Sequence, residues 1–292
     1  MPRTAPPAGR RLSFVKVEGL GNDFILLDHR DGAPPPSPAA VRWLCDRHRG
    51  VGADGVLEIC TTPAGRPWMR LHNADGGRAT MCGNGLRCVG LYLAQVGALA
   101  LGAAAEVHTD AGPRRLTVHR AEHITVQMGA ALDGGSATLA LPPAAVSHRL
   151  DGPIEPAPEA VVGRCVDVGN PHWVHQTEGR PDLLGRLGPP MQRHPAFPDG
   201  VNVSVVRHRA DHTFDLEVWE RGVGPTQACG SAACATAATL WWRDPALRGQ
   251  TLTLHLPGGT LTLAGTPEAI EMSGPARRVF GGEVELPEAE GV

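Results

Sequence analysis

Cys82-Gly83-Asn84-Gly85-Leu86-Arg87-Cys88 is answered later in the chain by Cys229-Gly230-Ser231-Ala232-Ala233-Cys234. The lead cysteines lie 147 positions apart. Gly21-Asn22 returns as Gly169-Asn170 at an offset of 148, and Asp54-Gly55-Val56 as Asp199-Gly200-Val201 at 145. Nine residues before each lead cysteine stands a polar side chain that can face a site, Asn73 in one half and Glu220 in the other. Four landmarks in one order, at nearly one offset, mark a duplicated unit. The chain therefore reads as two similar domains of about 140 residues, expected to face each other, each presenting one Cys-Gly turn.

Local patterns agree with the repeat. After Cys82 the apolar residues Leu86, Val89, Leu93 and Val96 follow helical spacing. Asn84 and Ser231 are good capping residues near the start of their helices. The second helix, expected over 232–242, is rich in alanine, which favours helix and lets neighbours approach closely. Elsewhere period-2 segments dominate, as in Leu116-Thr117-Val118, Ile124-Thr125-Val126, Val201-Asn202-Val203-Ser204-Val205 and Phe214-Asp215-Leu216-Glu217-Val218. Residues 251–263 read as a hairpin turning at Pro257-Gly258-Gly259. Each half is thus several strands with one main helix, an α+β unit. The domains are expected at 1–129, with a return segment at 276–292, and at 130–275. Residues 130–160, rich in Gly, Ala and Pro, are expected to hold the crossover between halves and a long surface loop.

Composition narrows the function. The 292 residues carry 27 Lys+Arg against 30 Asp+Glu, a net charge of −3, which leaves no electrostatic footprint for nucleic acid or an anionic membrane. No apolar run approaches the ~18–20 residues needed to span a bilayer. With 37 glycines and 27 prolines, about 22 % of the chain, it stays below the roughly 25–30 % that signals disorder. Seven cysteines, an odd number, without a secretory h-region argue for reduced thiols in a cytoplasmic protein. Lys16 is the sole lysine, and it sits in the alternating stretch Phe14-Val15-Lys16-Val17 with no phosphate-cradling motif. Pyridoxal phosphate, which needs a Schiff-base lysine, is therefore not expected.

A thiol at a helix N-terminus gains from the dipole and from unpaired backbone N–H groups, so its pKa can fall from about 8.5 to roughly 3.5–7.5. The glycine after each cysteine lets backbone approach a ligand, and the same N–H groups can bind a carboxylate. Two such units face to face would hold a carboxylate between two helix starts with a sulfur on either side. One sulfur, as thiolate, could take a proton from a carbon while the other, as thiol, gave one to the opposite face. The helix starts would stabilise the enediolate-like charge, and no metal or cofactor is required. Cys45, Cys60, Cys88, Cys165 and Cys234 are read as small buried hydrophobes. The spacings Cys82–Cys88 and Cys229–Cys234 exceed the usual zinc-knuckle spacing, and no Cys-x-x-Cys redox motif exists. The pairs His119/His123, His172/His175 and His208/His212 lack supporting carboxylates, so no metal is expected.

The chain resembles the diaminopimelate epimerase family. The segments that carry the resemblance are Gly19-Leu20-Gly21-Asn22-Asp23-Phe24, Cys45-Asp46-Arg47-His48 through Gly50-Val51-Gly52-Ala53-Asp54-Gly55, His72-Asn73-Ala74-Asp75-Gly76 and Cys82-Gly83-Asn84-Gly85. They continue with Gly169-Asn170-Pro171-His172, Gly200-Val201-Asn202-Val203 and Glu220-Arg221-Gly222 running into Gln227-Ala228-Cys229-Gly230-Ser231. The resemblance implies two pseudo-symmetric tandem domains, each a β-barrel-like sheet around a central helix, with the active site in the cleft between them. It implies cofactor-independent epimerisation of LL-2,6-diaminopimelate to the meso form, in lysine and cell-wall precursor biosynthesis. Cys82 and Cys229 fall on the acid/base thiols, and His172 and Glu220 on positions that tune them. Substrate contacts fall on Asn22, Asn73, Gly83, Asn84, Asn170, Asn202, Glu220, Arg221, Gly230 and Ser231.

The sequence departs from the family at five places near the site. Gly55 stands where some members carry glutamine, Pro225 replaces a glutamate, Met81 a polar residue and Ala232 a glycine, and Trp173 is bulky for its position. A racemase of the same fold acting on another amino acid stays open as an alternative, as does a non-catalytic amino-acid-binding or thiol redox protein. The expected partner is a small-molecule amino acid, with no nucleic acid and no membrane; a homodimer is left open.

Overall fold

The computed structural model describes residues 11–141, 159–179 and 183–287. In chain order the elements begin with β1 (Arg11–Gly19), β2 (Asn22–Asp28), α1 (Pro38–Cys45), β3 (Gly55–Thr61), β4 (Pro67–Asn73) and β5 (Arg78–Ala79). Then come α2 (Gly83–Gln95), β6 (Ala104–Val107), β7 (Arg114–Arg120), β8 (His123–Gly129), β9 (Leu132–Leu141), β10 (Glu159–Asp167) and β11 (Pro171–Thr177). They end with α3 (Leu183–Met191), β12 (Asn202–Ala210), β13 (Thr213–Glu220), β14 (Gly224–Thr226), α4 (Gly230–Arg243), β15 (Leu252–Leu256), β16 (Gly259–Thr266), β17 (Ala269–Gly274) and β18 (Arg277–Glu285). The fold is α+β and falls into two compact units, one of residues 1–126 with 274–292 and one of residues 127–273.

The first unit is built on a sheet ordered β18-β1-β2-β3-β4-β5, with the meander β6-β7-β8 beside it. Helix α2 is buried along nearly its whole length, from Gly83 to Leu91 and again at Leu93. A helix without a solvated face must be surrounded by other elements. It packs against β1, β2, β3, β4, β7 and β18. Val96, counted with the apolar stripe in the sequence, is instead the C-cap and is exposed, because the helix ends there. The other face of the sheet holds a second core of Leu12, Phe14, Ile25, Leu27 and Val56 under Val41 and Leu44 of α1. That short helix starts at Ser37, whose hydroxyl accepts the Ala40 N–H at 3.2 Å, with Pro38 supplying the preset φ of a first helical residue.

The second unit repeats this plan around α4. Its strands run β17-β16-β15-β13-β12-β11-β10-β9, and α4, buried at every residue from Ala232 to Trp241, packs against β10, β11, β12 and β16. The sequence repeat is also a structural one. In the first unit β2 pairs parallel with β3 across α1, and β3 turns back antiparallel into β4 before α2. In the second, β11 pairs parallel with β12 across α3, and β12 turns back into β13 before α4. Hairpin β15–β16 turns between Leu256 and Gly259, as the sequence suggests.

Two expectations change. Much of 130–160 is not loop: 132–141 form β9, paired antiparallel with β10 from Glu159 onward. The Gly-Ala composition hides the strand, and Gly134 is required because a Cβ there would stand 2.9 Å from that of Cys165. The rest of the expected loop, 142–158, lies outside the described residues. Trp173 is bulky for its strand yet fully buried, because a Cβ on Gly163 would stand 2.2 Å from its indole. The ring fills the space the glycine leaves.

Candidate active site

Each lead cysteine is the N-cap of its unit's buried helix. Cys82 takes φ −145° and ψ 120° before α2, and Cys229 takes φ −131° and ψ 114° before α4. This corrects the reading of Asn84 and Ser231 as caps: both stand at the second helical position. The extended backbone that ends the preceding loop falls on the cysteine, and at Cys82 the sulfur occupies the place of a capping oxygen. The Sγ of Cys82 accepts the Gly85 N–H at 3.4 Å. A Cβ on Gly85 would stand 2.8 Å from Leu57, so glycine keeps this turn against β3.

Around Cys82 the structure gathers Gly83, Asn84 and Asn22, from α2 and the start of β2. Asn84 donates its Nδ2 to Asn22 Oδ1 at 3.1 Å, and the Cys82 thiol points to the same oxygen at 4.0 Å. Asn73 ends β4, exposed, in register with Gly55, with its backbone tied to Gly77 across the following turn. Gly55 has no room for a side chain as the backbone stands, since a Cβ would lie 2.6 Å from the His72 carbonyl oxygen.

The second half mirrors the first with different side chains. Cys229 Sγ lies 3.4 Å from Ser231 Oγ, which accepts from Asn170 Nδ2 at 3.5 Å. Asn170 Oδ1 in turn faces His172 Nε2 at 3.0 Å. An amide oxygen can only accept, so His172 carries its proton on Nε2. Burial, followed by the charge of Arg221, pushes the imidazole down to about 3, so it is neutral at physiological pH. Asn202, in register with His172, donates to the Pro171 carbonyl at 3.0 Å and accepts the Arg221 backbone N–H at 2.9 Å. The Arg221 side chain is exposed and its Nη1 lies 3.4 Å from the Asp199 carbonyl. Glu220 accepts from the Thr226 hydroxyl at 2.7 Å. Gly230 is buried at the first helical position. His172 thus reaches the sulfur through two intermediaries, Asn170 and Ser231.

The remaining thiols are less suited to acid/base work. Burial pushes Cys45 and Cys60 up to about 11, and raises Cys88 and Cys165 as well. None of the seven cysteines is in a disulfide. No helix among the described residues is long and apolar enough to cross a membrane.

Two features escaped the sequence. Arg87 is fully buried one turn into α2, where a cation opposes the helix dipole; an arginine at the head of an apolar helix was the available signal. Glu58 is fully buried on β3, with His29 Nδ1 at 3.1 Å and His72 Nε2 at 3.3 Å. Burial alone would raise its carboxyl, but the two histidines outweigh that and bring it down to about 2. Glu58 and His72 lie on β3 and β4 and His29 just past the end of β2, so no common spacing betrayed them.

The family model for diaminopimelate epimerase matches residues 14–132 and 164–279. A diaminopimelate epimerase from Magnetococcus marinus is 38 % identical over 274 residues, covering 93 % of this chain and 96 % of that protein. Another, from Xanthomonas campestris, is 39 % identical over 290 residues, covering 94 % and 96 %. Among solved structures, a hydroxyproline epimerase from Agrobacterium vitis superposes with a TM-score of 0.69 at 15 % identity, covering 94 % of this chain and 92 % of that one. A Bacillus anthracis phenazine biosynthesis protein gives 0.66 at 13 %, covering 94 % and 99 %. At such identity these two speak to the fold alone. On the strength of the family match and of relatives alike over nearly their whole length, the chain is an isomerase that belongs to the diaminopimelate epimerase family.

Proposed function

We propose that this isomerase converts LL-2,6-diaminopimelate to meso-diaminopimelate with Cys82 and Cys229 as its two acid/base groups. One sulfur, as thiolate, takes the α-proton, and the electron pair of the C–H bond moves into the adjacent carboxylate. The other, as thiol, delivers its proton to the opposite face of the same carbon. No electrons are lost or gained, and the enzyme ends with its proton on the other sulfur. The carbanion is the costly species, and N–H groups at helix starts are suited to the charge it places on the carboxylate.

The observation that carries this reading is the duplicated cysteine N-cap. A cysteine at a helix start is placed where N–H groups lower thiol pKa values, and that backbone position occurs twice, once per unit. Asn22, Asn73, Gly83, Asn84, Asn170, Asn202, Glu220, Arg221, Gly230 and Ser231 are the proposed substrate contacts. His172, being neutral and buried, tunes Cys229 through Asn170 and Ser231 rather than by charge; Glu220 is the second tuning group. Thiols outside any disulfide suit a cytoplasmic location, and a homodimer belongs to the same reading.

Departures at Gly55 and Pro225 favour one second reading, a racemase of the same fold for another amino acid. Incubation in heavy water with a panel of amino acids separates the two. The first reading expects α-deuterium incorporation into diaminopimelate far ahead of monocarboxylic amino acids; a preference for one of the latter overturns the substrate and leaves the two thiols standing.

A further inference from the structure

Arg87 is wholly buried at a helix start, a position unfavourable for a cation both by desolvation and by the dipole. Its Nε donates to the Pro275 carbonyl at 3.0 Å and its Nη2 to Asn84 Oδ1 at 2.9 Å. A Cβ on Gly19 would stand 3.1 Å from Nη2, so the glycine leaves room for the guanidinium. From Asn84 the bonds continue: Nδ2 donates to Asn22 Oδ1 at 3.1 Å, and Asn22 Nδ2 donates to Asp54 Oδ2 at 2.8 Å. That carboxylate also accepts the Asp23 N–H at 3.1 Å and, on Oδ1, Arg47 Nη2 at 2.8 Å.

The direction of every bond follows from the two ends. A guanidinium only donates and a carboxylate only accepts, whereas an amide can be turned either way. Asn84 must offer its oxygen to Arg87, which leaves its nitrogen for Asn22. Asn22 must offer its nitrogen to Asp54, which leaves its oxygen for Asn84 and for the Cys82 sulfur.

We infer that Arg87→Asn84→Asn22→Asp54 is a one-way relay, and that Arg87 and Asp54 are positioning residues which together hold the Asn22 carbonyl oxygen toward the Cys82 sulfur. An acceptor in that place favours the S–H form of Cys82; the reversed amide would offer an N–H and favour thiolate. The inference rests on Cys82 being an acid/base group, and it gives that group a resting proton preference. Because the relay is pinned at both ends, either pin alone keeps Asn22 oriented.

A double-mutant cycle tests this. The readout is the rate of Cys82 alkylation by iodoacetamide at neutral pH, divided by that of Cys229 in the same molecules, with melting temperatures alongside. Arg87→Gln replaces a donor-only group by an amide, and Asp54→Ala removes the acceptor that Asn22 shares with the Asp23 N–H. Charge effects of the single changes multiply, whereas the relay predicts that the double variant alkylates Cys82 more than threefold faster than the product of the single effects. Arg87→Lys keeps a donor-only end and should restore simple multiplication with Asp54→Ala. A double variant within threefold of the product overturns the relay. Should Arg87→Gln fail to fold, Asn84→Ser breaks the next link and carries the same expectation. The readout needs no turnover, so the relay and the catalytic assignment fail separately: full activity in Cys82→Ser would remove the latter and leave the cycle's result untouched.

Discussion

The sulfur of Cys82 accepts the backbone N–H of Gly85 at 3.4 Å, whereas Cys229, at the matching place in the other unit, makes no such capping bond from its side chain. The two thiols are therefore not equivalent structurally. Cys82 closes the first turn of its helix; Cys229 turns toward Ser231 instead. A hydroxyl caps at least as well as a thiol, and a methyl group does not cap. Cys82→Ala should be less stable than Cys82→Ser by about 1 kcal/mol. The same comparison at Cys229 should give a smaller difference, read by urea unfolding of the four variants.

Arg221 offers a test of the substrate. Its backbone is fixed by Asn202 at 2.9 Å, so a lysine there leaves the chain in place and changes only the head group. On the proposed reading its guanidinium grips the substrate's distal carboxylate through two nitrogens, and losing that planar fork is not a conservative change. Arg221→Lys is expected to raise KM for diaminopimelate and lower kcat/KM, because binding at the far carboxylate positions the α-carbon. A short amino acid without a distal head should be turned over poorly and be indifferent to the change. Steady-state kinetics on both substrates decide it.

Glu58 predicts a pH dependence of stability. Its carboxyl is held at about 2 in the folded protein, below the ordinary carboxylate range, so its contribution is present above the unfolded pKa and disappears as pH falls toward 2. Glu58→Gln leaves His29 and His72 facing an amide in a buried site, and should cost on the order of 3 kcal/mol at neutral pH. The gap between wild type and variant should narrow steadily below about pH 4.5. Melting curves from pH 7 to pH 3 measure it; a constant gap would contradict the assignment.

Gly55 accounts for one departure from the family in steric terms. With a Cβ lying 2.6 Å from the His72 carbonyl, even alanine must push β4 away. Gly55→Ala should therefore destabilise by about 1–3 kcal/mol, the usual cost of overpacking, and disturb Asn73 in the adjoining register position. An unchanged melting temperature would show that β4 yields freely.

Much of this molecule could be read from spacing. The Cys-Gly repeat marked both buried helices, and the Gly-Asn and Asp-Gly repeats mark where β2 and β11 begin and where the chain enters β3 and β12. What spacing could not reveal is which atoms meet. Asn84 touches Asn22 across 62 positions, and Glu58 collects one histidine from β4 and another from just past the end of β2. The caps were misassigned because Asn and Ser are stronger capping residues than Cys, and only the backbone angles at Cys82 and Cys229 reveal which residue opens the helix. The strand at 132–141 was not foreseen inside the stretch expected to hold the crossover and a loop, because glycine and alanine carry little strand signal.

The central claim is that both sulfurs move protons at one carbon, and turnover of LL-diaminopimelate by Cys82→Ser and Cys229→Ser tests it most directly. Serine is close to cysteine in size and keeps the cap that Cys82 supplies, so both proteins should melt near the wild-type temperature. A hydroxyl is far too weak an acid to replace either thiol, so each variant should lose roughly 10²–10⁴ in kcat, the usual worth of a positioned acid or base. Wild-type-like turnover in either one would contradict the account.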